Sequence, residues 1–306
     1  MKMIKRLLLL LGFVLTTNVF AESTTLILPV AVGGLVNKYA QLLEPVFSQA
    51  LNSPIVIEFK PGAQGLIGAR ALADIKSEKL VLMMGPAQSI TAWSEFKNQK
   101  MVDITTDITP VAFLGTIPGI IVTSSNKFTN FKELVEYSKT KPVSYGIVSN
   151  SANVMLFRDV SKKYSTMEKM QEIPYKSTSA VTIDTLSGLV DFGVTGTYSM
   201  VNQYFDNNKL RPLAVFSEQR SRYLPNIPTL QEQGLGTPNE FKYYNNMFLW
   251  ANKNANPEEV KKLRKYLKEY FKSKESESIY NEMDLQFGKK KVDMPEVYLK
   301  EFLKDD

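Results

Sequence analysis

One junction recurs six times along this chain of 306 residues, and it constrains the fold more than any other feature. An apolar, β-rich run gives way to glycines or small polar residues, and these open into an apolar pattern of 3.6-residue period. Strand and helix patterns alternating in this way belong to an α/β fold with largely parallel sheets. At the first junction an expected strand, Thr24 to Pro29, meets the loop Val30, Ala31, Val32, Gly33 and Gly34, then a helix carrying Leu35, Tyr39, Leu42, Leu43 and Val46. Pro45 removes a backbone hydrogen bond inside that helix, so a kink is expected there. At the second, "IVIEFKPGAQGLIGARALADI", a buried strand precedes a helix start surrounded by Gly62, Ala63, Gln64, Gly65 and Gly68. The third, "LVLMMGPAQSITAW", is expected to turn at Gly85 and Pro86, with Ala87 following.

The second half repeats the pattern with hydroxyl and amide side chains in place of glycine. The turns fall at Ser149, Asn150, Ser151 and Ala152, at Lys176, Ser177, Thr178 and Ser179, and at Thr195, Gly196 and Thr197. Ser, Thr or Asn at such a place caps a helix, because its oxygen accepts from a free amide of the first turn. Taken singly each is a cap. Taken together they have a further consequence, because a parallel sheet gathers the carboxyl ends of its strands, and the helix starts that follow, along one edge. Unpaired amides and the positive end of each helix dipole make that edge an anion site. Paired glycines such as Gly33 and Gly34 would let a ligand oxygen reach the backbone.

Two strand-like crossings are expected to join two lobes, "VAFLGTIPGIIVT" (Val111 to Thr123) going out and "LRPLAVFS" (Leu210 to Ser217) returning. A Pro-rich surface connection and the strand "MFLWA" follow. A helix then opens at Asn256, with Pro257 in its first position and Glu259 three residues beyond the cap. Its apolar stripe is Val260, Leu263, Leu267 and Phe271, and its lysine-rich face reads as solvated surface.

The amino-terminal residues point to export. Lys2, Lys5 and Arg6 precede an apolar run from Leu7 to Leu15, and Val19 and Ala21 stand at the small-residue positions of a cleavage site. This is the pattern of a signal peptide covering residues 1–21, cleaved after Ala21, with the product in the periplasm. Cleavage leaves 285 residues and halves the formal charge from +6 to +3, because the leader holds three bases and no acid. That length suits two lobes, and so mild a charge suits small anions rather than nucleic acid. A monomer is expected.

The absences are equally informative. The chain contains no cysteine and no histidine, which removes disulfides, a lipidated cysteine, Ser-His and Cys-His catalysis and the commonest zinc ligands. No metal or cofactor is implied. G-x-S-x-G and the G-x-x-x-x-G-K-[ST] phosphate loop are missing, and the acids share no motif. Asp191, beside the run "DFGV", is the acid placed nearest the expected cleft, with a structural or capping role its preferred reading. An enzyme is not expected.

Several blocks then carry a resemblance over nearly the whole mature length. "LPVAVGG", "VIEFKPGAQGLIGARALA", "ITPVAFLGTIPGIIV", "SYGIVSNSA", "IPYKSTSAVTIDTLSGLVDFGVT", "LRPLAVFSEQRSRYLPNIPTLQEQGL" and "FLWANKNANPEEVKKL" stand in the order found in Bug-type solute receptors. The chain therefore resembles the periplasmic binding proteins of tripartite tricarboxylate transporters. The resemblance implies an α/β, two-lobed type II periplasmic-binding-protein fold, each lobe a sheet flanked by helices. Lobe 1 would comprise 22–121 and 213–306, and lobe 2 would comprise 122–212. It implies a small carboxylate or amino acid held by first-lobe amides of Val30 to Gly34 and Pro61 to Gly65. Hydroxyl and amide groups of Ser149 to Ala152, Lys176 to Ser179 and Thr195 to Thr197 would close over it, and integral membrane transporter subunits would be the partner. The family's first loop continues to an Asp and an Ala-Arg pair, whereas this chain has Asn37 and Ala40-Gln41; its "YKG" is here "YKS". Asn37 meets an ammonium less well than Asp would, which favours a plain dicarboxylate over an amino acid. Presentation of the ligand to a periplasmic sensor, and a divergent receptor with changed or lost affinity, stay open as alternatives.

Overall fold

The computed structural model describes residues 22–33, 35–87, 102–148, 157–158, 169–196, 198–217, 219–236, 246–283 and 285, with Gln64 described by its backbone alone. The expected leader, Gly34, Ser149, Asn150, Ser151, Ala152 and Thr197 lie outside the described residues.

The first lobe opens with β1 (Thr24–Leu28), α1 (Leu35–Leu51), β2 (Ile55–Phe59), a 3-10 turn (Ala63–Gly65), α2 (Leu66–Ala73) and β3 (Val81–Pro86), followed by β4 (Ile108–Thr116). The second lobe holds β5 (Gly119–Ser124), α3 (Phe131–Ser138), β6 (Val143–Val148), β7 (Met170–Tyr175), α4 (Thr178–Ser187), β8 (Phe192–Thr195), α5 (Tyr198–Asp206) and β9 (Leu210–Phe216). The chain then returns to the first lobe with β10 (Asn246–Asn252), α6 (Pro257–Tyr270) and α7 (Lys274–Met283).

The two sheets have one plan. The first is ordered β2-β1-β3-β10-β4, with β1 parallel to β2 and β3, and β10 antiparallel to β3 and β4. The second is ordered β7-β6-β8-β5-β9, with β6 parallel to β7 and β8, and β5 antiparallel to β8 and β9. Each sheet thus takes one reversed strand between its third parallel strand and its edge.

Both faces of the first sheet are covered, which is why its strands read as continuous apolar runs. Leu26 and Leu28 point to a core built with α1, α6 and α7, while Ile27 points to one built with α2, Phe113, Phe248 and Trp250. In the second sheet Phe131, Leu134, Tyr145 and Phe192 fill one side, and Ile120, Val122 and Val201 fill the other. The start of α6 forms as its residues dictate: the Asn256 side chain accepts from the Glu258 amide at 2.9 Å, and Pro257 occupies the first turn. Val260, Leu263 and Leu267 are buried. Pro45 lies inside α1, which runs on to Leu51. Pro45 and Gln41 are both exposed, so the carbonyl left without a donor faces water.

Three boundaries differ from the sequence reading. β3 continues through Gly85 and Pro86, which pair with Phe248 and Met247, so the turn comes after them. A division at 121/122 and 212/213 would cut β5 and β9, both of which pair throughout in the second sheet. The change of sheet falls instead at Ile117–Pro118, where a proline nitrogen cannot continue a ladder.

Candidate functional site

The first three junctions converge on one buried residue, Pro29, at the carboxyl end of β1. A Cβ placed on Gly65 would lie 3.3 Å from the Pro29 ring, on Gly68 2.8 Å, and on Gly85 2.9 Å. These glycines therefore serve packing: they admit Pro29 between the end of β3 and the start of α2. At Gly65, in a loop that the resemblance offers to a ligand carboxylate, this packing role stands beside any contact with a ligand. Gly33 is different. It has φ of 84° and nothing within 4 Å of where its Cβ would be, and it follows the exposed Ala31 and Val32. The neighbouring loop is also contorted, with φ positive at Gly62 (123°), Ala63 (45°) and Gly65 (96°). Ala63 is a non-glycine residue in the left-handed region, a conformation that persists where surrounding structure imposes it. Val30 and Asn37 are half-buried, Asn37 in the first turn of α1. Pro86 is half-buried and Ala87 fully buried.

In the second lobe the fifth and sixth junctions lie side by side. The Ser177 hydroxyl accepts from the Ala180 amide at 3.3 Å and so caps α4, as its position in the sequence implies. Lys176 before it is exposed, and Thr178 after it is half-buried. A Cβ on Gly196 would sit 3.9 Å from Thr178 Oγ1, which sets the end of β8 against the start of α4. Tyr175 locks this arrangement: its hydroxyl donates to Asp184 Oδ2 at 2.6 Å while its ring lies against Gly146. Burial first, and then Asp184, push the Tyr175 phenol up to about 12, so it stays a donor. Thr195 is buried, and its hydroxyl donates to Ile120 O at 3.0 Å.

The two carboxyl edges meet at the outward crossing between the lobes. β4 ends at Thr116 on the carboxyl edge of the first sheet, and β5 begins at Gly119 on the carboxyl edge of the second, opposite Thr195 and Phe216. Only Ile117 and Pro118 intervene. Three residue steps span at most about 11 Å, so the two sets of strand ends and helix starts are tethered close together at this crossing. Beside it, Thr116 Oγ1 donates to the buried Asn246 side chain at the start of β10.

Asp191 is not part of this edge. It precedes β8, at the opposite end of the strand from Thr195. Its carboxylate accepts from the Ser144 amide at 2.6 Å and the Ser144 hydroxyl at 3.0 Å, and it pairs with Lys127. Its backbone carbonyl accepts from Thr123 Oγ1 at 2.7 Å. Burial works to raise its pKa, but Lys127 and the two Ser144 donors outweigh it and hold the carboxyl below the usual range. Asp191 is thus a structural acid that ties the amino ends of β6 and β8 together, the role preferred for it from the sequence, and its expected placement near the cleft is corrected.

Pro29, Tyr175, Thr116 and Asn246 escaped the sequence reading. The only local signal for the first is a proline beside a glycine-rich loop; the others depend on contacts that no local pattern reveals. Among the described residues no cluster of acids could hold a metal ion, and no helix is long and apolar enough to cross a membrane. What the edges do offer is chemistry for an anion: backbone amides, hydroxyls and four described helix starts.

Comparison with known proteins agrees with this architecture. The family model described as tripartite tricarboxylate transporter family receptor matches residues 40–305. Protein BugT of Bordetella pertussis is 24% identical over 258 residues, covering 83% of this chain and 78% of BugT. The solved structure of the periplasmic binding protein BugD matches with a TM-score of 0.75 at 23% identity, over 93% of this chain and 94% of BugD. R. palustris Rpa4515, solved with adipate, matches with a TM-score of 0.75 at 20% identity, over 92% of this chain and 94% of its own. At these identities the solved structures speak for the fold, two sheets flanked by helices in two lobes.

Proposed function

This chain belongs to the tripartite tricarboxylate transporter receptor family, and from that premise we propose that it captures a small dicarboxylate between its lobes and delivers it to integral membrane transporter subunits. The family is one of solute-binding receptors and not of enzymes. The proposed product is a monomer in the periplasm, released from a leader cut after Ala21.

One observation carries the reading: the carboxyl edges of both sheets are joined by only Ile117 and Pro118. A carboxylate entering there meets the amides of Ala31, Val32, Gly33, Gly62 and Ala63 on one side. On the other it meets Lys176, Ser177, Thr178 and Gly196, with Thr195 bracing the crossing strand. Hydrogen bonds to a charged group contribute about 1.5–3 kcal/mol each, so a few of them, offset by the entropy of ordering, reach micromolar affinity. Movement of the lobes about the crossings gates release to the membrane subunits. A dicarboxylate fits better than an amino acid because Asn37, in the first turn of α1, is neutral. Adipate in Rpa4515 is a ligand of this chemistry in a protein of the same fold.

Native mass spectrometry of the purified protein, followed by thermal-shift screening of dicarboxylates, tricarboxylates, amino acids and aromatic acids, tests the reading. A ligand that binds only the folded state raises the melting temperature. A rise with a dicarboxylate, larger than with any amino acid, is the expected result. No retained compound and no shift with any acid would reject it.

A further inference from the structure

The Pro-rich segment after β9 is built into the second lobe. The Val215 amide donates to Pro228 O at 3.0 Å, the Leu230 amide to Val215 O at 3.1 Å, and Gln233 Nε2 to Leu213 O at 3.1 Å. Leu224 packs against the cluster of Ile120, Val122, Val201 and Leu210. Yet its two consecutive side chains Arg222 and Tyr223 reach out to the first lobe. Arg222 Nη1 donates to Asn281 Oδ1 at 2.6 Å and Nη2 to Leu285 O at 3.0 Å, while the Tyr223 hydroxyl donates to Asn281 O at 2.5 Å. Asn281 belongs to α7, which is seated in the first-lobe core by Tyr280 and Met283.

The Tyr223 ring also reaches the helix that opens at the sixth junction. It stacks on Tyr198, with centroids 5.1 Å apart and planes at 7°. Tyr198 is the first residue of α5, the helix that opens at the sixth junction. The Arg222 guanidinium lies 5.9 Å from the Tyr223 ring, so the two side chains support each other. A continuous path therefore runs from a ligand-edge helix of one lobe, through Tyr223, to the last described helix of the other.

We propose that Arg222 and Tyr223 form an interlobe latch: positioning residues whose bonds to Asn281 and Leu285 set how far α5 stands from α7, and hence how the population divides between cleft geometries. This rests on the reading that the ligand lies between the lobes. Where two packed bodies are joined by one two-residue crossing and a long return connection between Phe216 and Asn246, a few directed contacts are enough to shift the equilibrium between arrangements. By linkage, whatever biases the lobes also biases ligand affinity.

The chain has no cysteine, so spin labels can be placed without background. Labels at Glu136→Cys on α3 and Lys265→Cys on α6, both exposed, report the interlobe distance by pulsed electron paramagnetic resonance with no ligand added. The expected result is that Arg222→Ala, Tyr223→Phe and Asn281→Ala each broaden the distance distribution, and that the double variant R222A/Y223F gains a second, longer population. Tyr223→Phe keeps the ring and Arg222 and Asn281 are exposed, so circular dichroism should show unchanged folding. A double variant with the parent's distribution would overturn the latch. Titration with adipate separates the two ideas. If adipate leaves the parent's distribution and melting temperature unchanged while the variants still broaden, the ligand assignment fails and the latch stands.

Discussion

Thr116 Oγ1 donates to Asn246 Oδ1 at 2.6 Å, a buried bond between residues 130 positions apart. Thr116 ends β4 just before the outward crossing, and Asn246 begins β10 just after the return. The bond therefore clasps the two connections between lobes at their first-lobe end, on the carboxyl edge of the sheet. Thr116→Val keeps the volume and removes the donor. An expected loss of about 1–3 kcal/mol follows from burying an acceptor that has lost this partner, read from urea unfolding. Unchanged stability would show that the clasp is dispensable.

Gly68 decides between two effects of opposite sign. Alanine in a helix is favoured over glycine by about 1 kcal/mol. At Gly68, however, the new methyl would meet Pro29 Cβ at 2.8 Å, Pro29 Cα at 3.1 Å and the Lys60 carbonyl at 3.3 Å, two of them backbone atoms. Overpacking of this kind costs about 1–3 kcal/mol. Gly68→Ala is therefore expected to lower stability by about 1 kcal/mol net, and a more stable variant in denaturant melts would contradict the crowding at Pro29.

Ser177→Ala removes the cap of α4 and should cost about 0.5–2 kcal/mol, against a few tenths for Ser177→Gly. Both variants should also weaken adipate binding in calorimetry, because the lost hydroxyl lies on the edge proposed to hold the ligand. A variant that binds adipate as the parent does would remove Ser177 from the site.

Asp191 predicts a pH signature. Its folded pKa is depressed, so the folded state binds fewer protons at this carboxyl than the unfolded chain does. The stabilisation is fully present above the unfolded value near about 3.9 and is lost as pH falls through the folded value. Asp191→Asn should lower stability at neutral pH by about 1–3 kcal/mol, and the gap from the parent should close in acid. A gap that stays constant down to the acid limit would show that the Lys127 and Ser144 contacts do not act through charge.

Local chemistry was readable wherever the interaction was local. Asn256-Pro257 marked the start of α6, Ser177 marked that of α4, and the second junction's strand matched β2 in its bounds, although β2 lies at the sheet edge with Val56 and Glu58 exposed rather than buried as expected. The errors arose where the partner is distant in the chain. Gly85 and Pro86 looked like a turn because the pairing with β10 that keeps them in a strand comes from residues 247 and 248. Asp191 could not be placed at the amino edge without Ser144, 47 residues away, and Lys127, 64 away. The packing role of Gly65, Gly68 and Gly85 was hidden because Pro29, the group that fills them, approaches only in the folded sheet. The edge proposed for the ligand follows from the junctions alone, since parallel strands put every junction on one edge, but the joining of two such edges at Ile117–Pro118 required the structure.

In the proposed mode of capture one negatively charged guest is held by amides from both lobes at once. Backbone amide NMR of the labelled protein titrated with adipate reads those groups directly. Ala31, Val32, Gly33, Gly62 and Ala63 are expected to shift together with Ser177, Thr178 and Gly196 in a single saturating transition. Shifts confined to one lobe, or centred on the opposite edge near Glu22, Ser53 and Asn256, would contradict this mode of capture.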